Sequence, residues 1–272
     1  MNITLNNGIV MPQVGLGVYL VEPEVAKNTV LHALKTGYRS IDTAQFYNNE
    51  KEVGEAIKES GIPREEIFVT TKVWNSHHGY EETLEAFEES LHKLQLDYID
   101  LYLIHWPMPM KNKYIDTYKA LETLYKTGKV KAIGLSNFHI DHIENILSHC
   151  TIKPVVNQVE CHPYFQQNEL KDFCEKHDIY LEAWSPLSRG AVLQDETIVK
   201  LAQKYSKSPA QIILRWHIQR DTIIIPKSIT PNRIEENFQL FDFNLEDEDM
   251  KLINSIDKNE RRGREPNTMD MI

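Results

Sequence analysis

Eight times along this chain, a short run rich in β-branched residues gives way to a longer, charged, amphipathic stretch, and that alternation is what most limits the fold. The short runs predict strands over 14–17, 38–42, 67–72, 99–105, 132–135, 155–158, 180–184 and 222–225. Helical spacing covers segments such as 23–36, 50–59, 81–94 and 115–126. Strands alternating with helices imply parallel βαβ units. Eight of them in 272 residues fit a (β/α)8 TIM barrel, which usually takes about 250 residues, as a single domain over 1–272. A hairpin from 3–5 into 9–11, turning at Asn7-Gly8, would close the bottom of the barrel. Gly37 and Gly128 sit where left-handed helix ends are favoured, and Asp141 and Ser208-Pro209 read as helix starts. The rival is an open doubly wound sheet with a GxGxxG turn. Gly15-Leu16-Gly17 supplies half of that turn, and Leu20 stands where the third glycine belongs.

Charge and cysteine usage narrow the function. A net charge of −10 argues against a nucleic-acid partner, which calls for a basic footprint. No apolar run approaches the roughly 18 residues a membrane helix needs, and residues 1–8 lack the pattern of a signal peptide. Three cysteines, Cys150, Cys161 and Cys174, lie in no CxxC pair and suit a reduced, cytoplasmic protein.

Strands covered on both faces should be almost wholly apolar, so charged or polar residues at their C-terminal ends, the catalytic rim of a barrel, are informative. The second strand ends on Asp42, with Tyr47 in the loop beyond; the third ends on Lys72; the fourth ends on His105, on the face shared with Leu101 and Leu103. Each alone is more simply a loop or packing residue. Together, on three neighbouring strands, they fit carbonyl reduction. Tyr47 is the expected proton donor, since a phenol, with an ordinary pKa near 10, needs help to act near neutral pH. Lys72 would favour its phenolate, Asp42 would hold the lysine, and His105 would orient the carbonyl.

These residues lie in motifs that resemble the aldo-keto reductases essentially end to end. Gly37-Tyr38-Arg39-Ser40-Ile41-Asp42-Thr43-Ala44 with Tyr47, Leu101-Tyr102-Leu103-Ile104-His105-Trp106-Pro107, Ile133-Gly134-Leu135-Ser136-Asn137-Phe138, and the run from Ile225-Pro226-Lys227-Ser228 to Asn237 carry the likeness. The resemblance implies that Asp42, Tyr47, Lys72 and His105 form the catalytic tetrad and that the cofactor is NADPH, with no metal. It places Ser136, Asn137 and Gln158 at the nicotinamide carboxamide, Trp184 against the ring, and Ser185, Pro186 and Leu187 along the pyrophosphate. Lys227, Ser228 and Arg233 would surround the 2′-phosphate, with Glu236 and Asn237 near the adenine. Arg and Lys suit a phosphate through charge-assisted hydrogen bonds.

Tyr19, Trp74 and Trp106, each just past a strand end, are the expected pocket walls for a small-molecule carbonyl such as an aldehyde, an α-dicarbonyl or a keto-sugar. The tail 261–272 is short for the family, which implies an open pocket; Gln45, Phe46 and Asn48 read as loop variation. His139 and His142 read as a solvated helix face, and His77-His78 and Cys161-His162 as loop residues. The resemblance also implies a monomer. An NADPH-binding regulatory subunit on the same barrel remains the alternative, since fold alone does not fix function.

Overall fold

A computed structural model describes all residues, 1–272. Eight parallel strands follow one another in chain order: β3 (Leu16–Gly17), β4 (Ser40–Asp42), β5 (Phe68–Val73), β6 (Ile99–Ile104), β7 (Val130–Ser136), β8 (Val156–Glu160), β9 (Tyr180–Trp184) and β10 (Ile223–Ile224). The last meets the first through a parallel bridge between Val14 and Ile224, with Gly15 N donating to Ile224 O at 2.8 Å and Ile224 N to Gln13 O at 3.0 Å. The sheet is therefore a closed barrel. Helices α1 (Pro23–Thr36), α2 (Glu50–Glu59), α3 (Tyr80–Leu94), α4 (Tyr114–Lys126), α5 (Ile140–His149) and α6 (Asn168–Lys176) cover its outside, followed by α7 (Glu196–Tyr205), α8 (Pro209–Gln219), α9 (Pro231–Phe238) and α10 (Asp247–Asn254).

The opening hairpin pairs β1 (Asn2–Thr4) with β2 (Val10–Pro12). Its turn differs from the expected one. Leu5 N donates to Ile9 O at 2.8 Å and Gly8 N to Leu5 O at 2.9 Å, with Gly8 at φ +84°. The chain thus rounds Asn6 and Asn7, and Gly8 takes the left-handed step that follows. Long-range bonds select this turn: Asn6 Nδ2 donates to Pro154 O and Asp178 O at 2.9 Å, and Asn7 Nδ2 to Lys131 O at 3.0 Å. So anchored, the hairpin buries Leu5 and Met11 against Leu101, Leu103, Ala132, Val156 and Ile223 and plugs the barrel floor.

Ser208 caps α8 as expected, in a reciprocal box with Gln211. Gly37 ends α1 with its N–H on Ala33 O. Asp141 is not a cap. His139 takes that place, its own N–H bonded to His142 Nδ1 at 3.2 Å, so α5 begins two residues earlier. His142 is accordingly buried, only 4% exposed, and packs edge-on against Phe138. The solvated-face reading fails because a histidine can cap with a ring nitrogen. Cys161, His162 and His78 lie in loops but are likewise buried. No helix is long and apolar enough to cross a membrane.

Candidate active site

Strand register sets the floor of the site. Asp42 pairs with Thr70, and Lys72 pairs with Leu103 across β5 and β6, so the alternation that buries Leu101 and Leu103 inside the barrel carries Lys72 inward with them. His105 lies one residue past β6, its N–H on Val73 O at 3.2 Å. Tyr47 stands on a 3-10 turn, Gln45–Tyr47, whose shape is held from both sides. Asn49 donates to Val18 O and Val21 O at 3.0 Å and accepts from the Thr43 hydroxyl at 2.7 Å. Gln45 Oε1 accepts from Trp74 N at 3.1 Å. Gln45 is therefore a brace between two rim loops, and Phe46 stacks on Trp74 with centroids 3.9 Å apart. Neither is the loop variation expected of it.

The four expected catalytic side chains meet. Lys72, with no exposed surface, donates to Asp42 Oδ1 at 2.6 Å, Thr43 O at 3.0 Å and the Tyr47 hydroxyl at 3.4 Å. Burial raises the Asp42 carboxyl, and Lys72 opposes that rise. In so dry a site an ammonium 2.6 Å away keeps the carboxylate form. Burial also lifts the Tyr47 phenol well above its ordinary value, with Asp42 adding to the effect. A lowered phenol was the expectation; desolvation outweighs the lysine, and Tyr47 holds its proton at neutral pH.

The His105 ring meets Tyr47 and Trp74 edge-on, with centroids 5.6 and 5.0 Å away. Burial, with Lys72 beside it, holds the imidazole well below its usual pKa, so it is neutral. Its Nδ1 is sealed and unpartnered, which leaves Nε2 to face the cavity.

Burial lowers three other histidines as well, His78, His142 and His217. Burial pushes His78 down to about 3 and His217 well below its ordinary value. A folded pKa below the unfolded one means that the unfolded chain binds the extra protons, so stability falls as pH drops through about 6.5. Glu182 and Glu50, raised by burial, act in the opposite sense. A net loss of one to two protons corresponds to roughly 1–3 kcal/mol per pH unit. Denaturant melts at pH 6.5 and 5.5 are expected to show that drop.

Beside the tetrad lies a second polar group. Asn137, at φ +65°, donates to His105 O at 2.9 Å and to Ser136 Oγ at 3.0 Å, and accepts from Trp184 Nε1 at 2.8 Å. Gln158 donates to Asp42 Oδ2 at 2.7 Å and to Glu182 Oε2 at 2.9 Å. Asp42, Tyr47, His105, Ser136, Asn137, Gln158 and Trp184 line a cavity of about 740 Å³ together with Tyr19, Trp74, Trp106, Ser185, Pro186, Leu187 and Lys227. A groove of about 820 Å³ at the barrel floor, beside Asn7 and Lys153, gathers no comparable set.

The cavity fits a phosphorylated nucleotide. Arg189, Lys227, Arg262 and Arg264 line it, and its one carboxylate, Asp42, is already paired with Lys72. That is a cationic wall in a chain of net charge −10. Left-handed backbone at Ser185, Ser188 and Arg189 curls the loop after β9 around it. Gly17 lies on the same wall, where a Cβ would come within 2.7 Å of Ile225 O. Ser228, Arg233, Glu236 and Asn237 stand outside the lining. Ser228 Oγ accepts from Thr230 N at 3.1 Å, Arg233 is exposed on α9, Glu236 bonds Ser208, and Asn237 is buried.

Sequence reasoning missed Arg189, Glu182 and the tail. Glu182 had a signal, a charge in mid-strand; the others had none. Glu160 Oε1 and Oε2 accept from Arg262 N and Gly263 N, both at 2.7 Å, and Asn75 Nδ2 donates to Met271 O at 2.8 Å. Met269 packs on Trp74, Trp106 and Met108. Short as it is, the tail covers one side of the pocket, so the expectation of an open mouth is corrected.

A phenol, a buried Asp42–Lys72 pair and a neutral imidazole on the floor of a cation-walled barrel cavity suit an oxidoreductase that works with a phosphorylated nicotinamide cofactor. Residues 13–258 match the model described as the Aldo/keto reductase family, to which this chain belongs. A glyoxal reductase of Bacillus subtilis is 54% identical, the match covering 98% of this chain and 96% of the relative. A methylglyoxal reductase, DkgA, of Yersinia pestis is 47% identical over 97% of this chain and 95% of its own. The crystal structure of a Gox0644 mutant in complex with NADPH superposes with a TM-score of 0.96 at 47% identity, covering 100% of this chain and 99% of that one.

Proposed function

We propose that this protein reduces small aldehydes, ketones and above all α-dicarbonyls to alcohols with NADPH, Tyr47 giving the proton. The observation that carries the reading is the Tyr47 hydroxyl, 3.4 Å from the buried Lys72 ammonium and on the same floor as neutral His105. NADPH, when bound, supplies the hydride for the carbonyl carbon. His105 Nε2–H donates to the carbonyl oxygen and fixes where it sits. As negative charge grows there, Tyr47 passes it the phenolic proton, and Lys72 stabilises the phenolate left behind. Asp42 holds Lys72 in place at 2.6 Å. Tyr19, Trp74 and Trp106 give the substrate an aromatic wall, and the cover of Met269 and Met271 favours small molecules over bulky ones.

Ser136, Asn137 and Gln158 are assigned to the carboxamide of the cofactor, Trp184 to its ring, and Ser185, Pro186 and Leu187, with Arg189, to the pyrophosphate. Lys227, Ser228 and Arg233 are assigned to the 2′-phosphate, and Glu236 and Asn237 to the adenine. Lys227 lines the cavity, and Arg233 stands exposed on α9 outside that lining. Arg233→Ala is expected to weaken NADPH by about tenfold or more and NADH far less, the worth of a charge-assisted bond. Equal losses in fluorescence titrations with the two cofactors would refute that assignment. We further infer a monomeric, cytoplasmic, single-domain protein without a nucleic-acid partner, consistent with its acidity and free thiols. A panel of carbonyls tests the substrate class: kcat/KM is expected to fall from methylglyoxal-sized dicarbonyls to bulky ketones, and the reverse order would overturn it.

A further inference from the structure

Strand β9 carries a carboxyl group where an enclosed strand should be apolar. Glu182 is fully buried, and register sets it beside Gln158 on β8 and Ile223 on β10. A primary amide has two N–H donors and one carbonyl acceptor. Gln158 spends both donors on carboxyl groups, Asp42 Oδ2 at 2.7 Å and Glu182 Oε2 at 2.9 Å. The reverse orientation would press the amide oxygen against two carboxyl groups and leave the N–H pair without acceptors. Gln158 Oε1 is thereby left over, on a residue that lines the cavity.

We propose that Glu182 is a positioning residue that acts through Gln158, locking the amide so that Oε1 presents an acceptor to the carboxamide N–H group of the bound cofactor. The inference rests on the cofactor assignment above and goes beyond it, because Glu182 does not line the cavity and touches the ligand only through this relay. Asp42 alone could not fix the amide. With one carboxyl partner, the second N–H competes with the ligand for the same space, and rotation about the terminal torsion is soft. Burial, with Asp42 beside it, pushes the Glu182 carboxyl up to about 8. Its Oε2 accepts from the Gln158 N–H at 2.9 Å, and its buried Oε1 meets no other polar partner.

Two ligands separate this role from a merely structural one. NADPH carries the carboxamide; 2′-phospho-ADP-ribose carries the same phosphates and adenosine without the nicotinamide. Glu182→Leu removes the acceptor, and its dissociation constant for NADPH, read by fluorescence titration, should rise about tenfold, while that for 2′-phospho-ADP-ribose, read by calorimetry, should stay within about twofold. Glu182→Gln keeps an acceptor oxygen and should recover NADPH binding to within about threefold. If Glu182→Leu does not fold, Glu182→Ala, which leaves room for water, serves in the same comparison. Wild-type NADPH affinity in the Leu or Ala variant, or equal losses for both ligands, would overturn the proposal. Wild-type protein that binds 2′-phospho-ADP-ribose but not NADPH would overturn the cofactor assignment as well.

Discussion

Replacing Tyr47 with Phe is expected to slow carbonyl reduction by about 10²–10⁴-fold, the usual worth of a positioned acid, and to leave NADPH affinity within about twofold, since the ring and its packing stay. The lost atom is the hydroxyl bonded to Lys72 at 3.4 Å. The ring keeps its contacts with Tyr19, 5.1 Å away, and with His105 at 5.6 Å. Stability should change little, because Lys72 retains Asp42 and Thr43 O. A loss confined to kcat marks an interaction made only in the transition state; an equal rise in KM for cofactor would assign Tyr47 to binding instead. Near-wild-type turnover would remove it from the mechanism.

Lys72→Met should cost both activity and stability. The lysine is sealed, and its removal leaves Asp42 buried with Gln158 as its only polar partner. Breaking a buried pair from one side typically costs about 3–5 kcal/mol, a drop in Tm of roughly 10 °C for a chain of this size. The sign of the pH dependence follows from Asp42. Without Lys72 its folded pKa rises further above the unfolded value, so the native state binds a proton that the unfolded chain releases, and stability is lost as pH rises through that interval. Thermal melts should therefore show the variant closest to wild type near pH 5 and furthest from it near pH 8. A deficit that does not change with pH would mean that Lys72 serves packing, not charge pairing.

Local periodicity and the logic of strand ends made much of this molecule readable in advance. Helices α1 and α2 and strand β9 span the expected residues, and the other barrel strands differ only at their ends. Asp42, Lys72 and His105 were visible because they stand out in apolar strands, and Tyr47 because it follows one closely. What remained hidden depends on contacts between distant parts of the chain. Glu160 reaches the tail across 102 residues, and Gln158 reaches Asp42 across 116. No window of sequence holds both partners. Arg189 joins the cationic wall only because the loop after β9 runs through left-handed steps at Ser185 and Ser188, residues that do not demand them. The histidine cap of α5 escaped notice because Asp141, a better capping residue by type, stands two positions later.

The most direct test is a single turnover: enzyme premixed with NADPH, then mixed with methylglyoxal, the cofactor absorbance followed in wild type and Tyr47→Phe. Rapid loss of NADPH and formation of the hydroxy-carbonyl product in the wild type, with the step slowed by orders of magnitude in the variant, is the expected result. Tight NADPH binding with no hydride transfer to any small carbonyl in the wild type would contradict the account and leave a nucleotide-binding barrel without this chemistry.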